Sequence, residues 1–473
     1  MKNIIGRKYE MEELLRCSTS SKSEFVILYG RRRIGKTFLV SNLFNGNFSF
    51  YFTGSHRAPK ERQLERFAQT LKQYGQLKYL PALDNWYHAF DALQELIEHT
   101  NTKKKVIFFD EMPWIDTRGS EFVAALEDFW NTWAALRDDV CFIACGSATS
   151  WMVDKIVENQ GGLHNRVTSR IYLRPFTLAE CEEYARSQGG VWDRYTLTQA
   201  YMYMGGVPYY LSLMDYRRDL AWNIDSLFFK PHAKLKDEFR ELFSVLFNDS
   251  QSYIEIVRLL ASHREGLTRQ ELAKSLPNGG TLTGRLENLI RCDFVTACAP
   301  FGRRKKGTIY QLTDFFTLFY FKFIETARKT TSSYWNLKIH SPEVRSWQGL
   351  TFELVCRLHV DQIIHALGVS GVITEVSSWR SQADNQMGKK SQVDLIIERE
   401  DRYIYLCEIK FSETPYVIDK AYEEHLRETL TIFREETKTR KTLLTTFITT
   451  FGVKANIHSG IVQNEVCLDQ LFV

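Results

Sequence analysis

Short apolar runs alternate with segments of helical periodicity in the first third of the chain. The run Phe25–Tyr29 precedes a glycine-containing loop, and similar runs occupy Val106–Phe109 and Val140–Ala144. Continuous apolar runs between amphipathic segments are typical of parallel strands buried on both faces. The pattern therefore predicts an α/β domain built on a parallel sheet, with the topology of nucleotide-binding domains.

The middle of the chain changes to helical periodicity and ends in two short β-like segments. Residues 178–247 are helical in pattern, and three more helices follow. Thr268 and Glu271 have the spacing of a capping box, which places the start of the second of these helices. Three helices before a β-hairpin is the order of a winged helix. The segments are Tyr253–Ser262, the helix after Thr268, Leu282–Arg291, Phe294–Cys298 and Thr308–Leu312.

The last third of the chain predicts a second, smaller α/β unit. A helix is expected at Trp347–Leu367, followed by two strands, a helix and a further strand. These later elements are Gln392–Glu398, Tyr403–Lys410, Ile418–Glu436 and Thr442–Thr446.

Length and composition fit this division. At about 150 residues per domain, the 473 residues predict three domains, which we place at 1–240, 250–330 and 340–473. The net charge is only +4, so any surface for a polyanion must be local. The nine cysteines form no CxxC pair, which favours reduced thiols over a disulfide framework or a zinc ribbon. No apolar run reaches the ~18 residues of a membrane span, and the first residues do not resemble a signal peptide, so we expect a cytoplasmic protein without membrane contact.

The loop after Phe25–Tyr29 carries the most specific motif. It fits GxxxxGK[ST], with a strand before it and a helix after it, as a phosphate-binding loop requires. Backbone N–H groups and the helix N-terminus would surround the phosphates of ATP. Lys36 would reach the β- and γ-phosphates, and the Thr37 hydroxyl would bind Mg²⁺. The motif consists of Gly30, Arg31, Arg32, Arg33, Ile34, Gly35, Lys36 and Thr37.

Acidic and polar residues follow the next strands. Asp110 and Glu111 end the run Val106–Phe109. Asp110 would hold Mg²⁺ through water, and Glu111 would polarise the attacking water, so the pattern predicts hydrolysis as well as binding. Ser147, after Val140–Ala144, is placed to sense the γ-phosphate. Arg166 is the candidate arginine finger and Arg170 its rival, and no spacing rule chooses between them. A finger acting from another subunit would require a homo-oligomer, whereas one acting within the chain would not.

Two carboxylates and a lysine mark the last domain. Glu408 and Lys410 are two residues apart on a predicted strand, so they point to the same face. A hairpin turning at Arg399–Arg402 would bring Asp394 close to Glu408. Two carboxylates on one sheet face suit hydrated Mg²⁺, which would stabilise the charge of a scissile phosphate, and Lys410 would orient or activate water. The alternative is an ordinary amphipathic hairpin with charged outer residues.

Six segments in order resemble the archaeal-type ATPases of the STAND and AAA-like branch of P-loop NTPases. They are GRRRIGKT, the opening IGRKYEMEELL, VIFFDE with MPWI, ACGSATSWM, RIYLRPF and GGVPYYL, and the resemblance covers residues 1–240. It implies a P-loop parallel sheet with a helical lid and an ATP-driven conformational switch. It also implies that Gly6 and Arg7 lie near the adenine and that Gly205–Pro208 lie in the lid against the nucleotide. Members often continue into a winged helix and a C-terminal domain of the DUF234 type, as this sequence does.

The last domain itself resembles the PD-(D/E)xK nuclease core, a restriction-endonuclease-like fold. Asp394, Glu408 and Lys410 match its motif, although Val393 replaces the usual proline before the aspartate. That fold also carries a glutamate on its first helix, and Glu353 fits this position. The resemblance implies Mg²⁺-dependent hydrolysis of DNA, while a domain that only binds nucleic acid remains open.

The predicted winged helix offers further contacts for DNA. Its third helix would present Thr281, Thr283, Arg285 and Asn288, and Arg303–Lys306 form a basic wing that could contact phosphates. Lys389 and Lys390 precede the first carboxylate strand. A structural module packed within the protein, a dimerisation surface or a solvated basic turn are the alternatives. We therefore expect an ATPase switch with a DNA-binding and nuclease-like C-terminal half, or else an ATPase regulator or scaffold whose last domain is not a nuclease.

Overall fold

A computed structural model describes residues 4–147, 149–158, 161–163, 165–247, 249–276, 281–302, 307–327, 333–381 and 391–473. The chain divides into two compact units, Met1–Pro175 and Phe176–Val473.

The first unit is built on a five-stranded parallel sheet. The strands lie in the order β2-β3-β4-β1-β5, so β4 separates β1 from β3. The strands are β1 (Glu24–Tyr29), β2 (Phe50–Thr53), β3 (Lys105–Asp110), β4 (Val140–Gly146) and β5 (Ser169–Tyr172). The helices are α1 (Lys8–Thr19), α2 (Lys36–Leu43), α3 (Lys60–Gly75), α4 (Trp86–Glu98), α5 (Met112–Ile115), α6 (Phe122–Thr132) and α7 (Thr149–Met152).

The apolar run of β1 is continuous because both faces of this sheet are covered. Phe25 and Ile27 belong to one hydrophobic cluster, and Val26 and Leu28 belong to another. Successive side chains of a strand point to opposite faces, so each face buries one alternate set. The α/β fold with a parallel sheet, and its three predicted strands, are thus confirmed.

The second unit begins with helices and contains two sheets. Helices α8 (Leu178–Ser187), α9 (Arg194–Met204), α10 (Pro208–Leu211), α11 (Leu220–Ile224) and α12 (Glu238–Leu246) come first. Helices α13 (Ser250–Ser262), α14 (Arg269–Ser275) and α15 (Leu282–Arg291) follow, together with strands β6 (Leu267–Thr268), β7 (Val295–Cys298) and β8 (Ile309–Leu312). The three strands form an antiparallel sheet in the order β6-β8-β7. We call residues 250–312 the three-helix module.

The C-terminal sheet has five strands in the order β13-β12-β11-β10-β9. Strands β9, β10 and β11 pair antiparallel, whereas β11, β12 and β13 pair parallel. The strands are β9 (Thr374–Arg380), β10 (Gln392–Arg399), β11 (Tyr403–Lys410), β12 (Thr442–Thr449) and β13 (Asn464–Cys467). The helices are α16 (Phe315–Phe319), α17 (Tyr334–Lys338), α18 (Pro342–Leu358), α19 (Val360–Ala366) and α20 (Lys420–Thr437).

Two local expectations for this region need correction. The helix expected at Trp347–Leu367 is interrupted, since α18 ends at Leu358 and α19 begins at Val360. The residue between them, His359, has φ −112° and ψ 30°, outside the helical region. Strand β9 was not predicted, because it is an edge strand with only Trp379 buried.

Candidate functional site

The loop between β1 and α2 is shaped by two glycines and one lysine. Gly30 has φ 146°, and a Cβ there would collide with the carbonyl oxygen of Leu173, while Gly35 has φ 87°. Lys36 is the first residue of α2, and its buried ammonium donates to the carbonyl oxygens of Gly30 at 3.0 Å and Arg31 at 2.9 Å. The loop therefore holds the lysine charge on its inner side, at the N-terminus of a helix.

The side chains between the two glycines lie at different depths. Arg31 and Ile34 are buried, while Arg32 and Arg33 are partly buried. The Arg32 guanidinium carbon lies 5.6 Å from the centre of the Trp114 ring. This distance is within the range of a cation–π interaction.

Arg7 connects the start of the chain to this loop. Its Nη2 donates to the carbonyl oxygen of Ile34 at 3.5 Å, and the side chain is buried. Contact between Gly6–Arg7 and an adenine stays a prediction.

Thr37 and Asp110 meet at the end of the sheet. The Thr37 hydroxyl donates to Asp110 Oδ2 at 2.7 Å, and Thr53 Oγ1 lies 3.4 Å from the same oxygen. Asp110 is only 4% exposed, and its Oδ1 accepts from the backbone N–H of Glu111 at 3.0 Å. A hydroxyl and a carboxylate side by side form a donor set that suits Mg²⁺, which prefers oxygen ligands and retains water.

Glu111 is held by the residue that follows β4. The Ser147 hydroxyl donates to Glu111 Oε2 at 2.7 Å, and the Ser147 backbone N–H lies 3.3 Å from the same oxygen. Glu111 has φ 49°, in the left-handed region, and a Cβ added to Gly54 would lie 2.7 Å from its carbonyl oxygen. The backbone around Glu111 is thus fixed by close packing, and the carboxylate lies beside Asp110 at the sheet end.

Solvent exposure does not decide which of the two candidate residues is the arginine finger. The side chains of Arg166 and Arg170 are both exposed. Either assignment stays a prediction. Gly205–Pro208 lie in the second unit, where the carbonyl oxygen of Gly206 accepts from Phe176 N–H at 2.6 Å, and their role toward a nucleotide also stays a prediction.

The C-terminal carboxylates come together on neighbouring strands. Leu395 pairs with Cys407 across β10 and β11, so Asp394 and Glu408 lie one residue further along the same antiparallel register. Lys410 Nζ lies 2.7 Å from Glu408 Oε1. The Tyr422 hydroxyl donates to the same oxygen, and Lys410 lies 4.9 Å from the centre of the Tyr422 ring. The sequence did not single out Tyr422, because a tyrosine on an amphipathic helix carries no distinctive signal.

The third carboxylate comes from α18. Burial, and next the charge of Asp394, raise the pKa of Glu353 to about 8. The pKa of Asp394 is also raised, again chiefly by burial. Burial alone would lower the pKa of Lys410, but the adjacent Glu408 carboxylate outweighs it and leaves the pKa raised. Mutually perturbed carboxyl groups of this kind are found more often at functional sites than elsewhere.

Arg357, one helical turn after Glu353, holds the strand at Asp394. Its Nε donates to the backbone carbonyl oxygen of Asp394 at 3.1 Å, and its Nη2 donates to the same oxygen. Its Nη1 donates to Gln311 Oε1 on β8 at 2.7 Å. Sequence reasoning missed this residue, although a position four after Glu353 on a helix shares its face.

The carboxylates of Glu353, Asp394 and Glu408 offer oxygen ligands, but they do not form a complete metal-binding site by themselves. Within the described ranges, no group of three or more His, Cys, Asp or Glu side chains is arranged to hold a metal ion. Asp394 and Glu408 nonetheless fit Mg²⁺ by chemistry, because this ion is commonly bound through one or two carboxylates with water and substrate phosphate completing its shell.

Most candidate DNA contacts on α15 already have partners within the chain. Thr283 Oγ1 accepts from Arg269 Nε at 2.8 Å, Arg285 donates to Asp249 at 2.9 Å, and Asn288 donates to the Tyr253 hydroxyl at 2.8 Å. Thr281 is exposed. The basic segments Arg303–Lys306 and Lys389–Lys390 lie outside the described residues.

Known proteins resemble this chain in sequence and in structure. Residues 4–214 match the family of ATPase domains that occur predominantly in Archaea. An uncharacterized protein of Methanocaldococcus jannaschii is 22% identical over 422 residues, which cover 87% of this chain and 88% of that protein. The Walker-type ATPase of Pyrococcus abyssi is 15% identical with a TM-score of 0.45, covering 67% of this chain and 96% of its own. The ORC2 protein of Aeropyrum pernix is 14% identical with a TM-score of 0.40, covering 72% of this chain and 98% of its own.

None of the helices in the described part of the chain is both long enough and apolar enough to cross a bilayer.

Proposed function

We propose that the protein, whose residues 4–214 match the family of ATPase domains that occur predominantly in Archaea, is an ATP-driven molecular switch whose second unit binds DNA and cleaves it with Mg²⁺. The observation that carries the ATPase part is the hydrogen-bonded series at the sheet end. Thr37 bonds to Asp110, the backbone of Glu111 bonds to Asp110, and Ser147 bonds to Glu111. These hydrogen bonds support metal binding by Thr37 and Asp110 and water activation by Glu111.

Each residue of the first site has a distinct task in this proposal. Lys36 and the loop N–H groups bind the phosphates of ATP, which are polyanionic and suit a helix N-terminus. Thr37 and Asp110 would hold Mg²⁺, which when bound neutralises charge on the phosphates. Glu111 accepts a proton from the attacking water or orients it, and Ser147 fixes the carboxylate that does so.

Nucleotide binding tests the first of these tasks. Lys36→Ala should weaken binding of a fluorescent ATP analogue at least 100-fold, because it removes the buried ammonium of the loop. Lys72→Ala, an exposed lysine on α3, is the matched control and should bind like wild type. Equal affinity of Lys36→Ala and Lys72→Ala would contradict the assigned loop.

The nuclease part of the proposal rests on the grouping of carboxylates with Lys410. Asp394 and Glu408 would hold Mg²⁺, whose charge supports hydrolysis of a phosphodiester when it is bound. Lys410 would orient the attacking water, and Glu353 is close enough for its pKa to respond to the charges of Asp394, Glu408 and Lys410. A carboxyl with a pKa of about 8 can carry or release a proton near neutral pH.

Plasmid cleavage tests this second site. Supercoiled plasmid incubated with Mg²⁺ or Mn²⁺, with and without ATP, should be nicked or linearised by wild type. Glu408→Ala Lys410→Ala should lose this activity, whereas Lys420→Ala Glu424→Ala should keep it. The second pair also joins a lysine and a glutamate, at 4.0 Å, but on the exposed face of α20. Cleavage by wild type no greater than that of Glu408→Ala Lys410→Ala would overturn the nuclease assignment.

DNA binding is proposed for the three-helix module as a winged helix. Its elements have the order of that motif, and the basic residues Arg303–Lys306 fall between β7 and β8, where the wing is expected. Replacing these four residues with alanine should weaken binding to DNA of any sequence and make the dependence on salt shallower. Unchanged affinity and salt slope would instead favour a protein-interaction role for the module.

A second candidate function is an ATPase regulator or scaffold with an inactive C-terminal domain. The partners already made by Arg285 and Asn288, and the engagement of Glu408 by Lys410 and Tyr422, favour it. It predicts ATP binding without cleavage of plasmid under any metal condition. The plasmid assay therefore distinguishes the two functions.

A further inference from the structure

The hairpin β7–β8 is attached to the edge of the C-terminal sheet. The backbone N–H of Phe301 donates to the carbonyl oxygen of Ser378 on β9 at 2.9 Å, and Pro300 forms an isolated β-bridge with the same residue. An edge strand exposes unpaired backbone groups that readily accept such an addition. The residues after β7 thus extend the sheet beyond its edge strand.

Side-chain packing accompanies this backbone contact. The Phe301 ring lies 5.1 Å from the Phe433 ring and packs against the cluster that contains Trp379 and Phe433. Burial of an aromatic ring in such a cluster is worth more than an exposed polar contact. Phe301 therefore anchors the hairpin to the C-terminal core.

Two arginines, Arg380 on β9 and Arg357 on α18, add polar links to the three-helix module. Arg380 lies 2.9 Å from the Glu265 carboxylate and donates to its carbonyl oxygen at 3.1 Å. Arg357 donates to Gln311, whose own amide donates to the carbonyl oxygen of Arg264 at 2.7 Å. The Arg380–Glu265 pair is exposed, so we give it a smaller weight than the buried contacts.

These contacts border a partly open cavity onto which two of the carboxylates face. Its volume is about 710 Å³, and its wall includes Glu353 and Asp394 together with residues of the three-helix module. Arg264 lines it too, and its pKa, lowered chiefly by burial, is partly restored by the charge of Glu353. A cavity of this volume lies in the range of small-ligand pockets and is too small to hold a nucleic-acid duplex.

We propose that the three-helix module is an intramolecular cap over Glu353 and Asp394. The contact between Phe301 and β9 holds this cap in its docked position. In the docked state Glu353 and Asp394 face Arg264 and the module, and a nucleic-acid duplex is excluded from them. Release of the hairpin from β9 uncovers these two carboxylates. Binding of DNA at the uncovered carboxylates rests on the proposed nuclease function. The docked contact between Phe301 and β9 does not depend on it.

Hydrogen exchange of the full-length protein tests the docking. In wild type the Phe301 amide should exchange at least tenfold more slowly than an unprotected loop amide, because it donates to Ser378. Phe301→Asp should expose the neighbouring amides of the loop and β9, and Val191→Asp, at a position 92% exposed, is the matched control. Arg380→Glu should accelerate exchange at Phe301, and Arg380→Glu Glu265→Arg should restore protection. Unprotected exchange of Phe301 in wild type would overturn the docking.

Chemical access to the carboxylates tests the cap without any nuclease activity. Carbodiimide coupling of glycine ethyl ester to Glu353 and Asp394, measured by mass spectrometry, should rise at least fivefold in Phe301→Asp and in Arg380→Glu. It should stay at the wild-type level in Val191→Asp. Equal labelling of wild type and both undocked variants would overturn the cap.

Plasmid cleavage by the same variants separates the cap from the proposed function. A nuclease gated by this contact predicts faster cleavage by Phe301→Asp than by wild type. If labelling rises and no variant cleaves DNA, the cap stands and the nuclease proposal fails. If wild type cleaves and the undocked variants cleave equally fast, the nuclease stands and gating by the hairpin is refuted.

Discussion

At the scale of single residues, the first site depends on how Ser147 holds Glu111. The hydroxyl and the backbone N–H of Ser147 both approach Glu111 Oε2, and the backbone at Glu111 is in the left-handed region. A carboxylate restrained in this way is oriented before the substrate binds, which favours proton transfer in a fixed geometry. In the proposed ATPase, Ser147 would therefore be a positioning residue that acts through Glu111.

Removing the Ser147 hydroxyl should slow ATP turnover without weakening ATP binding. We expect Ser147→Ala to lower kcat about tenfold, less than the roughly 10²–10⁴-fold that the acid–base group itself contributes, and to leave KM within about twofold. Steady-state phosphate release over a range of ATP concentrations measures both constants. A kcat equal to that of wild type would contradict the positioning role, and a raised KM with unchanged kcat would assign Ser147 to ground-state binding.

The buried carboxyl of Glu353 should make stability depend on pH. Burial raises its pKa from 4.5 to about 8, so the folded protein holds a proton that the unfolded chain releases. The contribution of this group to the free energy of unfolding is fully present below about pH 4.5. It is lost as the pH rises through 8, by up to about 1.4 kcal/mol for each pH unit. Glu353→Gln has no carboxyl group to ionise, so it should not lose this stability. Without added metal, its melting temperature should therefore rise relative to that of wild type as the pH increases from 5 to 8. A constant difference between the two proteins over this range would contradict the raised pKa.

At the scale of elements, the sequence predicts best where a single physical cause controls the pattern. Strands β1, β3 and β4 were predictable because a sheet covered on both faces requires continuous apolar runs. The capping box of α14 is present as expected, since Thr268 and Glu271 satisfy each other's backbone N–H groups. Strand β9 was missed because its backbone pairing, and not a pattern of apolar side chains, defines it. The break at His359 was missed because its cause lies in contacts that are distant in sequence.

His359 joins the two helices of this break to the start of α8. Its Nε2 accepts from the backbone N–H of Leu178 at 3.0 Å, and its Nδ1 lies 2.8 Å from the carbonyl oxygen of Val355. The ring is 1% exposed, and burial lowers its pKa. Only the neutral ring, protonated at Nδ1, can make both hydrogen bonds.

Replacing His359 should destabilise the second unit and remove part of its sensitivity to acid. His359→Ala leaves a buried N–H without its acceptor and opens a cavity, which together cost about 2–4 kcal/mol. Because the folded pKa is lowered, the wild type should lose stability as the pH falls below the unfolded value of about 6.5. Urea unfolding at pH 7.5 and pH 5.5 should therefore show a smaller difference between wild type and variant at the lower pH. A difference that is the same at both values would refute the neutral buried ring.

At the scale of the whole molecule, the net charge of +4 conceals how the charges are distributed. Asp110 and Glu111 lie at the end of the first sheet, Asp394 and Glu408 lie on strands of the C-terminal sheet, and Glu353 lies on α18. Basic residues are concentrated in the phosphate loop and in Arg303–Lys306. The sequence predicted these groups and the fold of the first domain. It did not predict Arg357, Tyr422 or the docking of Phe301, because each depends on contacts between segments that are far apart in the chain.

The proposed coupling between the nucleotide site and the second unit is tested in the full chain. If ATP switches the C-terminal site, ATP should raise the rate of plasmid cleavage by wild type severalfold. Lys36→Ala should cleave at the rate of nucleotide-free wild type and should not respond to ATP. A response of Lys36→Ala equal to that of wild type would refute coupling through this nucleotide site.

The central claim is that the first unit hydrolyses ATP with Glu111 as the water-activating residue. The most direct test is phosphate release by wild type and Glu111→Gln at saturating ATP, with ATP affinity measured on the same samples. The account predicts that Glu111→Gln binds ATP as tightly as wild type and that its turnover falls 100-fold or more, because glutamine keeps the shape of the side chain but cannot accept the proton. Equal turnover by the two proteins at equal occupancy would contradict it.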